Sequence, residues 1–240
     1  MALTACSSDE LPTFAMPERD ATDQATRILS LWQGSWIAAL AVGALTWGLI
    51  LWPVIARRRK RDATDLPAQT RYNLPIEVFY TAVPLIIIAV FFYFTARDED
   101  RIMRTSANPD HKISVTGVQW SWQFTYTSDG DDQTTVTGTP GKPPTLYLPE
   151  GESVQFRLES NDVIHSFWVP AFLFKMDVIP GRVNTFEITP TKLGEFKGKC
   201  AELCGQDHSR MLFNVEVVSP SEYDAYVSDL QTRLAEGSAQ

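Results

Sequence analysis

The sequence predicts a membrane-spanning hairpin of two α-helices followed by an all-β, Greek-key sandwich. Three observations support this fold class: two long apolar runs without charge, a short basic loop between them, and a series of short alternating runs after Arg97. Roughly 20 apolar residues are enough to span a bilayer core. We expect an N-terminal segment over 1–27, the hairpin over 28–96, and the sandwich domain with a C-terminal helix over 97–240.

The two apolar runs extend from Ile28 to Ala56 and from Val78 to Ala96. A buried helix pair of a soluble protein is the alternative, and these lengths disfavour it. Tryptophans flank the first run, as in the aromatic belts at membrane interfaces: Trp32, Trp36 and Trp52. Both runs therefore predict transmembrane helices.

A run of five basic residues over 57–61 follows the first span directly and lies in a short loop. Positive charges in short loops favour the cytoplasmic side of the membrane. The pattern predicts a cytoplasmic loop, with the N-terminus and the domain after Arg97 both outside the cytoplasm.

The N-terminal residues Leu3-Thr4-Ala5-Cys6-Ser7 resemble a lipobox, in which Cys6 would carry lipid. A signal peptide needs a basic and an apolar stretch before the cleavage site, and only five residues precede Cys6. Lipidation and a chance match are both left open. The polar, Pro-containing stretch from Asp9 to Gln24 predicts a loose linker.

Short runs that suit β-strands follow Arg97, and turn residues such as Pro149-Glu150-Gly151 separate them. The predicted strands are Lys112–Val118, Trp120–Tyr126, Thr145–Leu148, Ser153–Leu158, Val183–Ile188 and Leu212–Val218. Several short strands at this spacing indicate a sandwich or Greek-key barrel. Ser219, Pro220 and Glu222 predict the start of a C-terminal helix that extends to Glu236.

The net charge of −8 arises entirely from Arg97 onward. A nucleic-acid-binding domain would need a basic face, so we expect no nucleic-acid partner. An acidic domain favours a basic protein partner through complementary potential. An excess of acid that only maintains solubility explains the charge equally well.

The segment from Cys200 to Met211 holds two thiols, an imidazole (His208) and a thioether within a dozen residues, and His165 lies upstream. Thiolate and thioether sulfur together with imidazole favour copper. With two cysteines instead of one, both sulfurs can bridge two metal ions. Sharing one electron between two coppers should lessen the rearrangement that accompanies electron transfer.

Three other interpretations compete with copper. A Cys200–Cys204 disulfide would suit an oxidising compartment, and a structural zinc site would use two Cys and two His but gain nothing from Met211. His165 could be a satisfied core histidine. His111 is the remaining histidine, and it follows the second span closely.

Three stretches resemble cytochrome c oxidase subunit II: Cys-x-Glu-x-Cys-x-x-x-His-x-x-Met from Cys200 to Met211, Asp-Val-Ile-His-Ser from Asp162, and Lys175–Arg182. The resemblance covers nearly the whole chain and implies a cupredoxin-like domain. It implies a dinuclear CuA centre of two copper ions whose ligands are His165, Cys200, Glu202, Cys204, His208 and Met211. Glu202 would ligate through its carbonyl, with its side chain directed at a Mg or Mn ion shared with subunit I.

The resemblance also implies roles for two residues outside the ligand set. Trp120, in the aromatic run from Gln119 to Tyr126, would receive the electron from cytochrome c, although period-two spacing also suits a core-facing strand. Members of the family often carry an aromatic residue where this chain has Ser121. Glu77, at the start of the second span, would lie at the mouth of a proton-uptake path, or else be an interfacial carboxylate. Asp162 is a candidate for docking a basic donor.

The function that the resemblance implies is the electron-accepting subunit of a terminal oxidase in a bacterial plasma membrane. Electrons from cytochrome c, or from a cytochrome c domain, would pass to haems in subunit I, where oxygen is reduced and protons are pumped. Subunit III and membrane lipid are further expected partners. A quinol oxidase subunit would lack the copper ligands, and a copper-delivery protein would not need Glu202 at a subunit interface.

Overall fold

The computed structural model describes residues 21–58, 69–127 and 133–237. Contacts divide this part of the chain into two compact units. One unit consists of the helical stretch Ser30–Glu99, and the other combines the residues up to Leu29 with those from Asp100 onward. The proposed lipidation site Cys6 and the basic residues 59–61 lie outside the described residues.

Two long helices form the first unit. Helix α1 spans Ala25–Ala56 and helix α2 spans Leu74–Ile102, and both are long and apolar enough to cross a membrane. A cavity of about 410 Å³ lies between residues 30–38 of α1 and residues 90–98 of α2. The N-terminal part of α1 therefore faces the C-terminal part of α2, which makes the helices antiparallel. The predicted helical hairpin is confirmed.

Ten strands in two five-stranded sheets form the sandwich. The first sheet has the order β3-β2-β1-β5-β8 and the second β4-β10-β9-β6-β7. The strands are β1 His111–Val118, β2 Ser121–Thr127, β3 Gln133–Thr137, β4 Thr145–Pro149, β5 Val154–Ser160, β6 His165–Val169, β7 Phe174–Val178, β8 Asn184–Ile188, β9 Gly194–Cys200 and β10 Leu212–Val218. The prediction of an all-β sandwich is confirmed.

Six of these strands match the predicted ones within two residues at each end, and four were not predicted: β3, β6, β7 and β9. One boundary matters for function. Trp120 was expected to begin the second strand, but β2 begins at Ser121. Val118 of β1 pairs with Ser121, so Gln119 and Trp120 form the two-residue turn between the strands.

Aromatic side chains fill the space between the sheets. Trp122 and Phe124 of β2 are fully buried, and both rings contact Phe213 of β10 edge-on. Phe213 also stacks on Phe167, with ring centroids 4.8 Å apart. A Cβ on Gly198 would lie 2.0 Å from the Phe213 ring, so β9 needs glycine there. Rings of this size supply much of the hydrophobic stabilisation of a domain.

The residues just before α1 pair with the sandwich. Thr22 forms a bridge to Pro190, and Asp23 N donates to the carbonyl of Thr189 at 3.0 Å. The amide of Thr189 donates to Asp23 Oδ1 at 3.0 Å in return. The predicted loose linker therefore ends before this point, because its last residues are fixed against the sheet edge.

Helix α3 spans Pro220–Gly237 and begins with the predicted cap. Ser219 N donates to Glu222 Oε2 at 3.0 Å, and the Ser219 hydroxyl donates to the same oxygen at 2.6 Å. These hydrogen bonds lower the pKa of the Glu222 carboxyl. Tyr223 and Tyr226 of α3 contact Tyr126 edge-on, which packs the helix against the sandwich.

Candidate metal centre

Neighbouring strands of the second sheet bring the predicted ligands together. His165 begins β6, Cys200 ends β9, and Met211 lies directly before β10. The sheet order places β9 between β10 and β6, and Cys200 N donates to the Met211 carbonyl at 3.0 Å. Residues separated by up to 46 positions in the chain therefore meet at one end of the sandwich.

The two cysteine sulfurs form the middle of the cluster. Cys200 Sγ and Cys204 Sγ lie 3.8 Å apart, and both thiols are free and buried. A disulfide needs about 2.05 Å between the sulfurs, so the structure does not contain the alternative disulfide. His165 Nδ1 lies 3.9 Å from Cys200 Sγ, and His208 Nδ1 lies 3.6 Å from Cys204 Sγ. Each sulfur thus has an imidazole nitrogen beside it.

Two weaker donors complete the arrangement, again one beside each sulfur. Met211 Sδ lies 3.7 Å from Cys204 Sγ, and the Glu202 carbonyl oxygen lies 3.2 Å from Cys200 Sγ. Met211 is fully buried. The Glu202 side chain is exposed and accepts a hydrogen bond from the amide of Leu203. All six predicted residues are therefore brought together, Glu202 through its carbonyl.

The donor set fits copper on chemical grounds. Two thiolates, two imidazoles and a thioether are the ligands that copper electron-transfer sites use. A zinc site would leave the buried Met211 sulfur without a role, since zinc takes thiolate, imidazole and carboxylate ligands. His165, Cys200 and Cys204 offer ligand atoms that all lie within 4.8 Å of one another. These three residues form a copper-type site.

The electrostatics of the cluster separate the two thiols. Burial raises the pKa of Cys200, but hydrogen bonds from His165 and from neighbouring backbone amides lower it to about 6 overall. Burial and the adjacent Cys200 raise the pKa of the Cys204 thiol to about 12. The two shifts have opposite directions, so Cys200 loses its proton more readily than Cys204. Because metal binding requires thiolates, loading the site releases protons.

A carboxylate orients His165 from the side opposite the cysteines. His165 Nε2 donates to Asp162 Oδ1 at 2.7 Å, which leaves Nδ1 free to face Cys200. A carboxylate partner of this kind fixes the tautomer of a ligating histidine. The amides of Val163 and Gln119 also donate to Asp162, each at 2.6 Å. Burial raises the pKa of the Asp162 carboxyl, but these hydrogen bonds outweigh the effect of burial, so the net shift is downward.

Gly117, on the opposite sheet, makes room for the His165 ring. A Cβ on Gly117 of β1 would lie 2.8 Å from His165 Cδ2. The ring of Trp122 packs edge-on against His165 at a centroid distance of 6.1 Å, and Trp122 Nε1 donates to the Met211 carbonyl at 3.3 Å. The sequence analysis assigned no role to Gly117. A glycine within a predicted strand is the signal that could have indicated a close approach.

Trp120 lies beside the cluster instead of within the core. It is half-buried, in contrast to the fully buried Trp122, and its indole Nε1 donates to the carbonyl of Cys204 at 3.2 Å. The period-two pattern that suggested a core-facing position does not extend to Trp120, because β2 begins only at Ser121 and Trp120 lies in the turn before it.

Two further histidine and carboxylate candidates make contacts that do not involve the cluster residues. His111 Nε2 pairs with Glu152 at 2.7 Å, and the ring contacts Tyr223 edge-on. Glu77 lies in the first turn of α2, where Oε1 accepts a hydrogen bond from the amide of Asn73 at 3.0 Å. Asn73 Oδ1 in turn accepts from Ile76 N at 3.4 Å. Glu77 therefore contributes to the cap of the second transmembrane helix.

Comparison with known proteins agrees with this geometry. A sequence profile described as cytochrome C oxidase subunit II, periplasmic domain, matches residues 143–218. A protein of Streptomyces coelicolor named probable cytochrome c oxidase subunit 2 is 51% identical over 264 residues, covering 95% of this chain and 82% of that protein. The chain belongs to the cytochrome c oxidase subunit II family. It is a membrane-anchored oxidase subunit with a copper-type site.

A more distant relative has a name of the same kind, and one solved structure is similar to part of the chain. Cytochrome c oxidase subunit 2 of Mycobacterium tuberculosis is 36% identical over 289 residues, covering 98% of this chain and 78% of that protein. The crystal structure of the periplasmic domain of subunit II of cytochrome oxidase from Bradyrhizobium japonicum shares 32% identity. It matches 54% of this chain and 99% of that chain with a TM-score of 0.48.

Proposed function

We propose that this chain is the electron-accepting subunit of a cytochrome c oxidase and that its six clustered residues hold a dinuclear CuA centre. The observation that carries the proposal is the placement of the donors. Two cysteine sulfurs lie 3.8 Å apart, with one imidazole nitrogen and one weaker donor beside each sulfur. When bound, a copper pair would supply a one-electron carrier whose charge change is spread over two metal ions.

The chain's own residues would exclude water from the centre and hold its ligands. His165 and Met211 are fully buried, and the two cysteines are 5% and 3% exposed. Burial in a low-dielectric surrounding keeps ligands and charge in fixed positions, so that little solvent must reorganise when the charge changes. Asp162 holds the His165 ring, and Trp122 holds the Met211 carbonyl.

Electrons would reach the centre through Trp120. Its half-buried ring lies at the surface side of the cluster, and one hydrogen bond links the indole to the carbonyl of Cys204. A reduced cytochrome c, or a cytochrome c domain, is the proposed donor, because the acidic domain suits a basic partner. The proposed acceptor is a haem in subunit I, where oxygen is reduced to water and protons are pumped.

The exposed Glu202 side chain supports a second, shared metal site. Its backbone carbonyl lies beside Cys200 Sγ in the cluster, while its carboxylate is exposed. Carboxylates suit Mg or Mn. We assign Glu202 as this chain's ligand to an Mg or Mn ion at the interface with subunit I, and subunit III and membrane lipid as further partners.

The membrane unit would be a hairpin in a bacterial plasma membrane with both ends outside the cytoplasm. The antiparallel helices and the basic residues after α1 support this orientation. Glu77 then lies at the cytoplasmic end of α2, where it would accept protons for subunit I. The carboxylate in this position also caps the helix, so the two roles need to be tested separately.

The proposal is tested by oxygen consumption of the assembled oxidase with reduced cytochrome c. Cys204→Ser removes one of the two sulfurs that would hold the copper pair with a change of a single atom, and Ser209→Ala is the control in the same loop. We expect the Cys204 variant to assemble but to lose electron uptake from cytochrome c, whereas the Ser209 variant keeps it. Unchanged turnover in the Cys204 variant would refute the proposed function.

A further inference from the structure

The turn between β1 and β2 contacts both ligand segments of the copper-type site. Gln119 and Trp120 are its two residues, because Val118 pairs with Ser121. The Gln119 side chain donates from Nε2 to the Cys204 carbonyl at 2.8 Å. Trp120 Nε1 donates to the same carbonyl oxygen at 3.2 Å. One acceptor therefore holds two donors from adjacent residues, as the two lone pairs of a carbonyl oxygen allow.

The backbone of Gln119 extends the connection to the other ligand segment. Gln119 N donates to Asp162 Oδ2 at 2.6 Å, and the second oxygen of Asp162 accepts from His165 Nε2 at 2.7 Å. A continuous series of hydrogen bonds thus runs from the Cys204 carbonyl through Gln119 and Asp162 to His165. This series joins His165 of β6 to the loop that follows β9. It passes through the turn between β1 and β2, which belong to the opposite sheet.

Gly205 lets the turn approach the ligand loop this closely. A Cβ at this position would lie 2.9 Å from Trp120 Nε1 and 3.2 Å from Gln119 Nε2. The backbone of Gly205 also has a φ of +126°, which residues with a side chain rarely adopt. Glycine at position 205 therefore leaves the space that the side chains of Gln119 and Trp120 occupy.

We infer that Gln119 is a positioning residue that holds Trp120 and the Cys204 and His165 ligands in one fixed arrangement. The inference rests on the proposed copper site and goes beyond it, because Gln119 itself does not contact a ligand atom of the cluster. Its amide fixes the carbonyl of Cys204, and the same carbonyl fixes the indole ring. Removal of a residue that is hydrogen-bonded to a metal-ligating residue typically changes metal affinity or activity 10- to 100-fold.

The test compares Gln119→Leu with Gln155→Leu in the copper-loaded full-length chain in detergent. Leucine has nearly the size of glutamine but cannot donate to the Cys204 carbonyl. Gln155 is a matched control, because it pairs with Lys112 at the end of β1 far from the turn. Copper content, the electron paramagnetic resonance spectrum, the midpoint reduction potential and the rate of reduction by cytochrome c are measured for each variant.

We expect Gln119→Leu to retain two coppers but to show an altered copper hyperfine pattern and a shifted midpoint potential. Its rate of reduction by cytochrome c should fall roughly tenfold or more, while Gln155→Leu matches the unmodified chain. Adding Trp120→Phe to Gln119→Leu should have a non-additive effect on the potential, since both donors share one acceptor.

A Gln119→Leu variant with the unmodified spectrum, potential and reduction rate would overturn the inference. Folding is checked by hydrogen exchange of the β1 and β5 amides in the metal-free chain. If the leucine variant does not fold, Gln119→Asn takes its place, because its shorter amide cannot reach the carbonyl, and the same outcomes decide. An unmodified chain without a copper pair would refute the proposed function instead, which separates the two failures.

Discussion

Gly205 lies against the Trp120 indole so closely that a Cβ on the glycine would stand 2.9 Å from Trp120 Nε1. The glycine follows Cys204 directly, so the packing of a single residue links the proposed electron-accepting ring to the ligand loop. A side chain at position 205 must move the indole, the loop or both.

Gly205→Ala should therefore reduce stability and slow the reduction of the copper centre. The positive φ alone costs about 1–3 kcal/mol for alanine, and the displaced indole should lower the rate of reduction by cytochrome c. Gly141→Ala is the control, because nothing lies within 4 Å of a Cβ at that position. Thermal unfolding and stopped-flow reduction measure the two effects. An unchanged reduction rate would show that the indole position does not limit electron uptake.

Gly117→Ala should weaken copper binding by displacing a ligand. The new methyl group would lie 2.8 Å from His165 Cδ2 and would displace the ring. Because Gly117 belongs to the opposite sheet, the effect would not come from a change in the ligand segments themselves. Competition with a copper chelator measures the affinity, and we expect a loss of roughly tenfold or more. Equal affinity of variant and unmodified chain would contradict the tight packing of β1 on His165.

Cys200→Ser and His208→Ala should each abolish the signal of an electron shared by two coppers while the sandwich stays folded. Each change removes a strong donor from one side of the cluster. Circular dichroism monitors the fold, and electron paramagnetic resonance monitors the metal. A variant that kept the full signal would show that the ligand assignment is wrong.

Glu77→Gln separates the two roles of this residue. The amide oxygen of glutamine can still accept the hydrogen bond from Asn73, so the helix cap should persist. If Glu77 delivers protons, turnover of the assembled oxidase should fall several-fold while the rate of reduction by cytochrome c stays unchanged. Glu99→Gln, in the exposed last turns of the same helix, should have no effect. Normal turnover of the Glu77 variant would leave the carboxylate with the capping role only.

The cap of α3 should contribute stability that depends on pH. Hydrogen bonds from Ser219 lower the pKa of Glu222 below its unfolded value. The stabilisation is therefore present above the ordinary Glu pKa and is lost as the pH falls through the lower, folded-state pKa. Ser219→Ala should cost about 1 kcal/mol at neutral pH and less in acid, whereas Ser228→Ala within the helix should cost nothing. A Ser219 effect that does not change with pH would contradict the involvement of the carboxylate.

The fold class could be predicted from the sequence because it depends on local signals, and the six residues that cluster could be named from the resemblance to subunit II. The transmembrane runs are long, and the cap of α3 is a short motif. The ligand pattern from Cys200 to Met211 is short and specific as well. Two of the four strands that were not predicted, β6 and β9, lack an alternation of large apolar and polar residues for physical reasons. In β6 nearly every residue is buried, from His165 to Val169. In β9 one inward position is Gly198, which makes room for Phe213.

The supporting contacts of the site could not be predicted in this way. Gln119 lies 85 residues before Cys204, and nothing in the local sequence distinguishes its amide from that of Gln123. Trp120 continues the spacing of the buried Trp122, although the turn places it outside the strand. Such contacts depend on how the two sheets pack against each other, and only the folded structure shows this packing.

The most direct test of the account is the copper content and electron paramagnetic resonance spectrum of the full-length chain in detergent, with zinc as competitor. The account predicts two coppers per chain, one electron delocalised over both, and preference for copper over zinc. One copper with a mononuclear spectrum, or tighter binding of zinc, would contradict it.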